Sequence, residues 1–282
     1  MSVEDLKISS LYSVEGKVAV VTGGGSGIGT MIASAYVQNG VRVYIASRKE
    51  KQLKKVADAL NKIGQGSCHY IVADVSTKAG CDALANAIKE KESKIHILVN
   101  NSGAVWAAQY SDVPESEGWD HVMDLNVKGL FYLTVALTPL LEKDSTKLDP
   151  ASVINISSVA SLIAVTQVSA PAADNYGLWS YHTSKAAVNH LTAQLAVTLA
   201  KKNIHVNAII PGLFPSKMTA FAFSMKGANV GKGLPTGRAG SAQDMAGLAL
   251  FLASPASAYI TGACIPIDGG STIRVAKFKA SM

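Results

Sequence analysis

The sequence predicts an α/β fold: a doubly wound parallel sheet with helices on both faces. Two observations carry this. First, short β-like apolar runs alternate with helix-period segments along nearly the whole chain, an order that yields parallel strands joined by crossover helices. Second, the first apolar run, Val18–Val21, passes through the glycine-rich turn Thr22–Gly29 (TGGGSGIG) into a helical pattern at Ile32–Val37. Strand, glycine turn and helix is how a doubly wound sheet begins.

The elements follow in order. Residues 1–14 read as an N-terminal arm. Val41–Ala46 is a second β-like run, and Lys51–Ile63 has helical periodicity. His69–Val72 is a third strand that runs out toward Asp74, followed by a helix at Ala83–Lys91 and a fourth strand at Ile95–Val99. Trp119–Leu141 reads as one helix with an apolar face, and Ser152–Ile156 as a fifth strand. A long helix, Tyr181–Ala200, precedes a sixth strand, Ile204–Ile210. A helix at Met245–Leu252 and a strand at Ala263–Ile267 complete the set, and 271–282 is a tail. Without a repeat or a linker, residues 1–282 read as a single domain. Val159–Leu178 and Pro211–Thr236 break the rhythm. Both leave C-terminal strand ends, where open α/β sheets place their ligands, and the alternative for each is a surface insertion.

Composition excludes several classes. Of 282 residues, 48% are hydrophobic and 16% charged, which rules out a disordered chain. The net charge of +6 comes from scattered residues, as in Lys49–Lys55 and Lys201–Lys202, with no nucleic-acid motif. Solvated helix faces account for it, in part serving anionic cofactor phosphates. No apolar run approaches the ~20 residues of a membrane span. The polar start MSVEDLKISS lacks a signal core, so a cytoplasmic location is expected. The end, Ala-Ser-Met, resembles a peroxisomal address with the wrong middle residue and reads as a frayed terminus. Cys68, Cys81 and Cys264 fit reduced thiols rather than a disulfide framework. The six histidines, His69, His96, His121, His182, His190 and His205, lack paired ligand spacing, so no metal is expected.

The chemistry-bearing residues sit at strand ends and on one helix. In the glycine turn, Gly23 permits a tight turn, Gly27 a close approach of a pyrophosphate, and Gly29 close packing of helix on strand. Free N–H groups at the helix start favour an anion. Tyr181 and Lys185 are four residues apart, on one helix face. A nearby ammonium favours the phenolate and so prepares a proton donor and acceptor for a carbonyl or alcohol oxygen; a helix surface pair is the alternative. Ser158, just past the fifth strand, has a hydroxyl fit to bond a substrate oxygen, or merely to cap a turn. Asn126 lies on an otherwise apolar helix, where it either holds a backbone carbonyl or a proton-relay water.

TGGGSGIG, Asp74, NNSG at Asn100–Gly103, Asn126, ISS at Ile156–Ser158, YHTSK at Tyr181–Lys185, Pro211–Gly212, YITG at Tyr259–Gly262 and IDGG at Ile267–Gly270 occur in one order. In that order, over roughly residues 14–271, the chain resembles the short-chain dehydrogenase/reductase family. The resemblance implies a Rossmann sheet of about seven parallel strands. It implies a catalytic set of Asn126, Ser158, Tyr181 and Lys185, with tyrosine as acid/base, serine orienting the substrate oxygen, lysine binding the nicotinamide ribose, and asparagine holding a relay water. Cofactor contacts fall on Gly23, Ser26, Gly27, Ile28, Gly29, Ser47, Arg48, Asp74, Val75, Asn100, Gly103, Tyr181, Lys185, Pro211, Gly212, Phe214 and Ser216. A homotetramer or homodimer is also implied.

There are departures. Ser102 replaces the usual alanine, and the gap from Ser158 to Tyr181 is longer than the family's by about one short loop. Ser216 stands where a threonine often contacts the carboxamide, in a segment, Pro211–Thr219, that looks like that of rhamnolipid-type β-ketoacyl reductases. The second strand ends Ala46-Ser47-Arg48 with no carboxylate at Ser47, and Arg48 suits a 2′-phosphate, which favours NADP(H) over NAD(H).

The expected activity is therefore NADP(H)-dependent interconversion of a ketone and a secondary alcohol. The alternatives are a 3-oxoacyl thioester reductase or a non-catalytic NADP-binding protein. Trp106, Leu162, Ile163, Phe214, Met218, Phe221 and Phe223 are expected to line an apolar pocket for a small-molecule carbonyl or alcohol; ordinary core or a subunit contact is the alternative.

Overall fold

The computed structural model describes residues 6–164, 176–224 and 230–273, without the side chains of Phe221 and Ala222. Most of the arm's first residues, much of Val159–Leu178, Gly227 and the tail beyond 273 lie outside the described residues, and so does the Phe221 side chain.

A short helix α1 (Ile8–Leu11) leads into β1 (Val18–Thr22), α2 (Gly27–Gln38), β2 (Arg42–Ser47), α3 (Glu50–Leu60), β3 (Ser67–Val72), α4 (Lys78–Lys89) and β4 (Ile97–Asn100). Then come β5 (Ala108–Gln109), α5 (His121–Met123), α6 (Gly129–Glu142), β6 (Ala151–Ile156), β7 (Tyr176–Gly177) and α7 (Trp179–Leu199). The chain continues through β8 (Ile204–Pro211), α8 (Ala220–Ser224), α9 (Ala242–Ala253) and β9 (Cys264–Ile267). Seven strands form one sheet in the order β3-β2-β1-β4-β6-β8-β9. All six neighbouring pairs are parallel. The order grows outward from β1 in one direction and from β4 in the other, so the switch point lies between these two strands. A doubly wound sheet opens its ligand crevice there, above the strand C-termini.

Strand alternation builds two cores. Val21, Val43, Ile45, Val99, Ile154 and Ile209 face α2, α3 and α9, where Ile32, Tyr36, Leu53, Met245 and Leu252 bury against them. Their sequence neighbours Val20, Tyr44, Leu98 and Val153 face α4, α6 and α7 through Leu84, Ile88, Leu133, Leu137, Val188 and Leu195. Central strands are thus buried at every position, as β1 shows with five buried residues in a row.

Two features depart from the sequence reading. The expected helix Trp119–Leu141 begins earlier, and its first part is not regular: π-helical turns at Glu115–Asp120 and Asp124–Lys128 flank α5. Pro139 sits inside α6; its missing N–H takes the usual helical partner from the carbonyl of Val135, one turn back. In addition, β5 and β7 pair antiparallel as a two-stranded ribbon, Ala108 opposite Gly177 and Gln109 opposite Tyr176. Two-residue strands carry no periodic signal, which is why the sequence does not announce them.

Candidate active site

The glycine turn is held in shape by β4. Gly23 has φ +65° and donates to Ala46 O at 2.7 Å. Thr22 Oγ1 accepts from Asn101 N and Ser102 N, each at 3.0 Å, and Asn101 Nδ2 donates to Thr22 O at 2.9 Å. Asn101 thereby bolts the turn after β4 onto the turn after β1. A side chain at Gly29 would sit 2.5 Å from Gly23 O, and one at Gly27 (φ +54°) would sit 3.1 Å from Ser216 Cβ. Ser26 enters α2 in extended conformation and makes no side-chain cap bond, so its hydroxyl leaves the first-turn N–H groups to another acceptor. Bare backbone, positive φ and an uncapped helix start fit a pyrophosphate. Ile28 is half-buried and packs against the core beneath.

At the end of β2, Ser47 Oγ accepts from Lys49 N at 3.4 Å. Arg48 extends into solvent, with Nη1 3.8 Å from Asp74 Oδ2 and both side chains about half exposed. Burial raises the Asp74 carboxyl, but hydrogen bonds from Ser76 and the charge of Arg48 outweigh it and hold the carboxyl below its ordinary value. A pair this loose and exposed is worth little, so the guanidinium remains available to a phosphate.

The catalytic candidates converge. Tyr181 and Lys185 lie on α7, with Lys185 Nζ 5.7 Å from the Tyr181 ring centre. Lys185 is buried and donates to Ile156 O at 2.8 Å. Burial without a carboxylate lowers it to about 8. Burial also raises the Tyr181 phenol, and the hydrogen bond with the Ser158 hydroxyl pulls it back down. On balance the phenol stays above its ordinary value, with Ser158 opposing part of the rise that burial causes. Ser158 Oγ also accepts from Ala160 N at 3.2 Å, capping the turn Val159–Ser161. Gly103 faces this group: a side chain there would reach within 3.3 Å of Asn126 Oδ1 and 3.6 Å of Lys185 Nζ.

Asn126 is placed by the second π-helical turn and is buried. Its Oδ1 accepts from Ala104 N at 2.8 Å, while Nδ2 donates to Ala104 O at 3.0 Å and Ser184 Oγ at 2.9 Å. Both amide hydrogens are spent on the protein. The side chain fastens the segment after β4 to α7, and a relay water would meet Asn126 through its oxygens as acceptors.

Three expected cofactor residues turn their side chains elsewhere. Val75 and Phe214 are buried in opposite cores, and a side chain at Gly240 would collide with the Phe214 ring. Asn100 Nδ2 bonds Thr134 Oγ1 at 3.1 Å and Asn155 Oδ1 at 2.9 Å inside the sheet. Only backbone atoms of these three remain to face the crevice. Pro211 ends β8 opposite Ile267, and Gly212 N donates to Ile267 O at 3.0 Å. Ser216 Oγ lies 3.0 Å from Thr219 Oγ1, in a turn over the glycine loop. Trp106, Leu162, Ile163 and Met218 are partly exposed apolar side chains. The sequence reading passed over Thr22, Asn101 and Ser184. All three lie inside the quoted motifs, and for Thr22 and Asn101 a polar residue at the crowded junction of β1 and β4 is the available signal.

Among the described residues no group of three or more His, Cys, Asp or Glu is arranged for a metal, and no helix is long and apolar enough to cross a membrane.

Residues 23–272 match the family model described as enoyl-(acyl carrier protein) reductase. The rhamnolipids biosynthesis 3-oxoacyl-[acyl-carrier-protein] reductase of Pseudomonas aeruginosa is 41% identical over 265 residues, 92% of this chain and 97% of that protein. The NAD-dependent glycerol dehydrogenase of Listeria innocua is 33% identical over 264 residues, 93% of this chain and 96% of that one. Among solved structures, the Pseudomonas aeruginosa RhlG/NADP active-site complex superposes with TM-score 0.85 at 40% identity, covering 93% of this chain and 98% of that one. With the parallel sheet, the glycine turn and the Ser158–Tyr181–Lys185 cluster already in place, these matches settle the kinship: the chain belongs to the short-chain dehydrogenase/reductase family of oxidoreductases.

Proposed function

We propose that the chain is an NADP(H)-dependent reductase that interconverts a ketone and a secondary alcohol, with Tyr181 as the acid/base. The observation that carries this is the convergence of the Tyr181 phenol, the Ser158 hydroxyl and the Lys185 ammonium beside Gly103, at the switch point of the sheet. When bound, NADPH supplies the hydride. The glycine turn and the start of α2 hold its pyrophosphate, and Arg48 meets the 2′-phosphate. Tyr181 passes its phenolic proton to the carbonyl oxygen as charge develops there, and Ser158 turns its single hydroxyl proton from Tyr181 to the same oxygen. Lys185 holds the nicotinamide ribose and, with its charge, restrains Tyr181 as phenolate afterwards. Val75, Asn100 and Phe214 serve the cofactor through their backbones.

A 3-oxoacyl thioester is the favoured substrate class. The names of two kinds of relative point to it, and the apolar rim of Trp106, Leu162, Ile163 and Met218 suits an acyl chain. We further read the chain as one domain that works as a homo-oligomer, which light scattering of the purified protein measures.

The test is NADPH oxidation against a panel of 3-oxoacyl thioesters and simple ketones. Turnover that vanishes in Tyr181→Phe, while NADPH affinity stays within about twofold, is the expected result, because the substitution removes one proton and keeps the ring. Tight NADPH binding with no turnover on any member would favour a non-catalytic binding protein.

A further inference from the structure

Tyr181, Lys185 and Asn189 recur every four residues on α7 and so share one face of that helix. The first two belong to the proposed chemistry. The third reaches across to the turn that carries Ser158. Asn189 Nδ2 donates to Ser161 Oγ at 2.8 Å, and Ser161 Oγ in turn donates to Ser158 O at 2.6 Å. The same carbonyl accepts the Ser161 backbone N–H at 2.9 Å.

We propose that Asn189 is a positioning residue for Ser158, acting through the Ser161 hydroxyl. The direction of the chain is fixed by donor counting. A serine hydroxyl has one proton, and Ser161 gives it to Ser158 O, so it can only accept from Asn189. The amide nitrogen must therefore face it. Among the described residues, Asn189 Oδ1 is buried with no partner. An orphaned buried carbonyl is destabilising, so the amide is held where it is for the bond its nitrogen makes. The inference rests on the reading above, in which Ser158 bonds both Tyr181 and the substrate oxygen. One helix then sets both sides of that oxygen: it carries the phenol directly and places the serine backbone through Asn189 and Ser161. Residues that hold a hydroxyl to within a fraction of an ångström affect the rate more than binding.

The experiment uses the full-length protein with NADPH and the best substrate of the panel. Asn189→Leu keeps the branching and heavy-atom count and removes the donor; Ser161→Ala removes one oxygen. Each is expected to lower kcat about ten- to hundredfold with the NADPH KM unchanged. Asn189→His, which restores an N–H donor, is expected to recover part of the loss. In a Ser158→Ala background, Asn189→Leu is expected to change kcat by less than about twofold, because its target is already gone. Losses that multiply in the double variant, or an Asn189→Leu kcat within about twofold of the parent, overturn the proposal.

A second readout needs no substrate. With [13C]tyrosine labelling, the Tyr181 resonance, assigned by its absence in Tyr181→Phe, is titrated. Asn189→Leu and Ser161→Ala are expected to raise its midpoint as far as Ser158→Ala does; an unchanged midpoint overturns the proposal even if one variant folds poorly. Full turnover in Tyr181→Phe would instead refute the functional reading, and the titration would still judge the positioning.

Discussion

At the scale of single residues, the site holds a cost that function explains. Lys185 is buried with a carbonyl as its hydrogen-bond partner and is lowered to about 8. Its unfolded counterpart stays protonated to about 10.4. Between these values the unfolded chain binds more protons, so stability rises with pH through that window; below about 8 the folded chain carries the full cost of a buried charge. Lys185→Met is accordingly expected to stabilise the ligand-free protein near pH 7 by about 2 kcal/mol, after losing one hydrogen bond, and to abolish turnover. Urea unfolding at pH 7 and pH 10 checks the sign, the gain shrinking at the higher pH. Arg48 is the complementary case: it is exposed and loosely tied to Asp74. Arg48→Ala is expected to lower kcat/KM for NADPH about tenfold or more, leave that for NADH nearly unchanged, and cost almost no stability, because a bidentate phosphate contact is lost only when the phosphate is there.

At the scale of elements, most of the architecture was legible because strands and helices have different periods. Each of the seven long strands was found, with ends displaced by a residue or two where capping rather than hydropathy decides. The Tyr181–Lys185 pair was legible because helical spacing alone puts both on one face. The orientation of Asn126, Asn100 and Phe214 was not, since which face a polar or aromatic side chain takes depends on partners distant in sequence: Ala104, Asn155 and Gly240 respectively. His96 illustrates the same limit. It reads as an unremarkable strand residue, yet its Nδ1 accepts from Val18 N at 3.0 Å, joining the starts of β1 and β4. Burial, with the charges of Lys94 and Lys17, lowers it to about 4. The unfolded histidine takes a proton from about pH 6.5 downward, so stability drains away between about 6.5 and 4 as the fold resists that proton. In His96→Asn the amide oxygen replaces the acceptor and cannot titrate. A flatter loss of Tm between pH 6.5 and 4.5 than in the parent is expected, and an identical slope would assign the acid sensitivity to other groups.

At the scale of the molecule, the crevice is assembled from both halves of the sheet. Thr22 and Gly23 come from β1, Asn101 and Gly103 from the β4 exit, Ser158 from β6, and Pro211 to Ser216 from β8. A ligand that touches all four exits links parts of the chain that unfold apart, and it binds only the folded form. NADPH at about 100 times its Kd is expected to add about 2.7 kcal/mol. In a chain of this size that raises Tm by roughly 4–6 °C. NADH at the same concentration should give a visibly smaller rise, and equal shifts in differential scanning fluorimetry would contradict the reading of Arg48.

The wide turns before α6 have one more consequence. A π-helical turn holds one residue more than an α-helical turn over the same rise. The turn Asp124–Lys128 that carries Asn126 is closed by Gly129 N on Asp124 O, so it contains such a surplus residue. Delete it, and the turn closes as an ordinary α-helical one: the helix on either side keeps its facing, and only the residues within the turn change direction. A cousin of this chain one residue shorter here would differ by a gap a single column wide in an alignment, placed in a helix where gaps look harmless. Its asparagine would face another way, and the clasp between the β4 exit and α7 would be undone without a single site residue having changed its name.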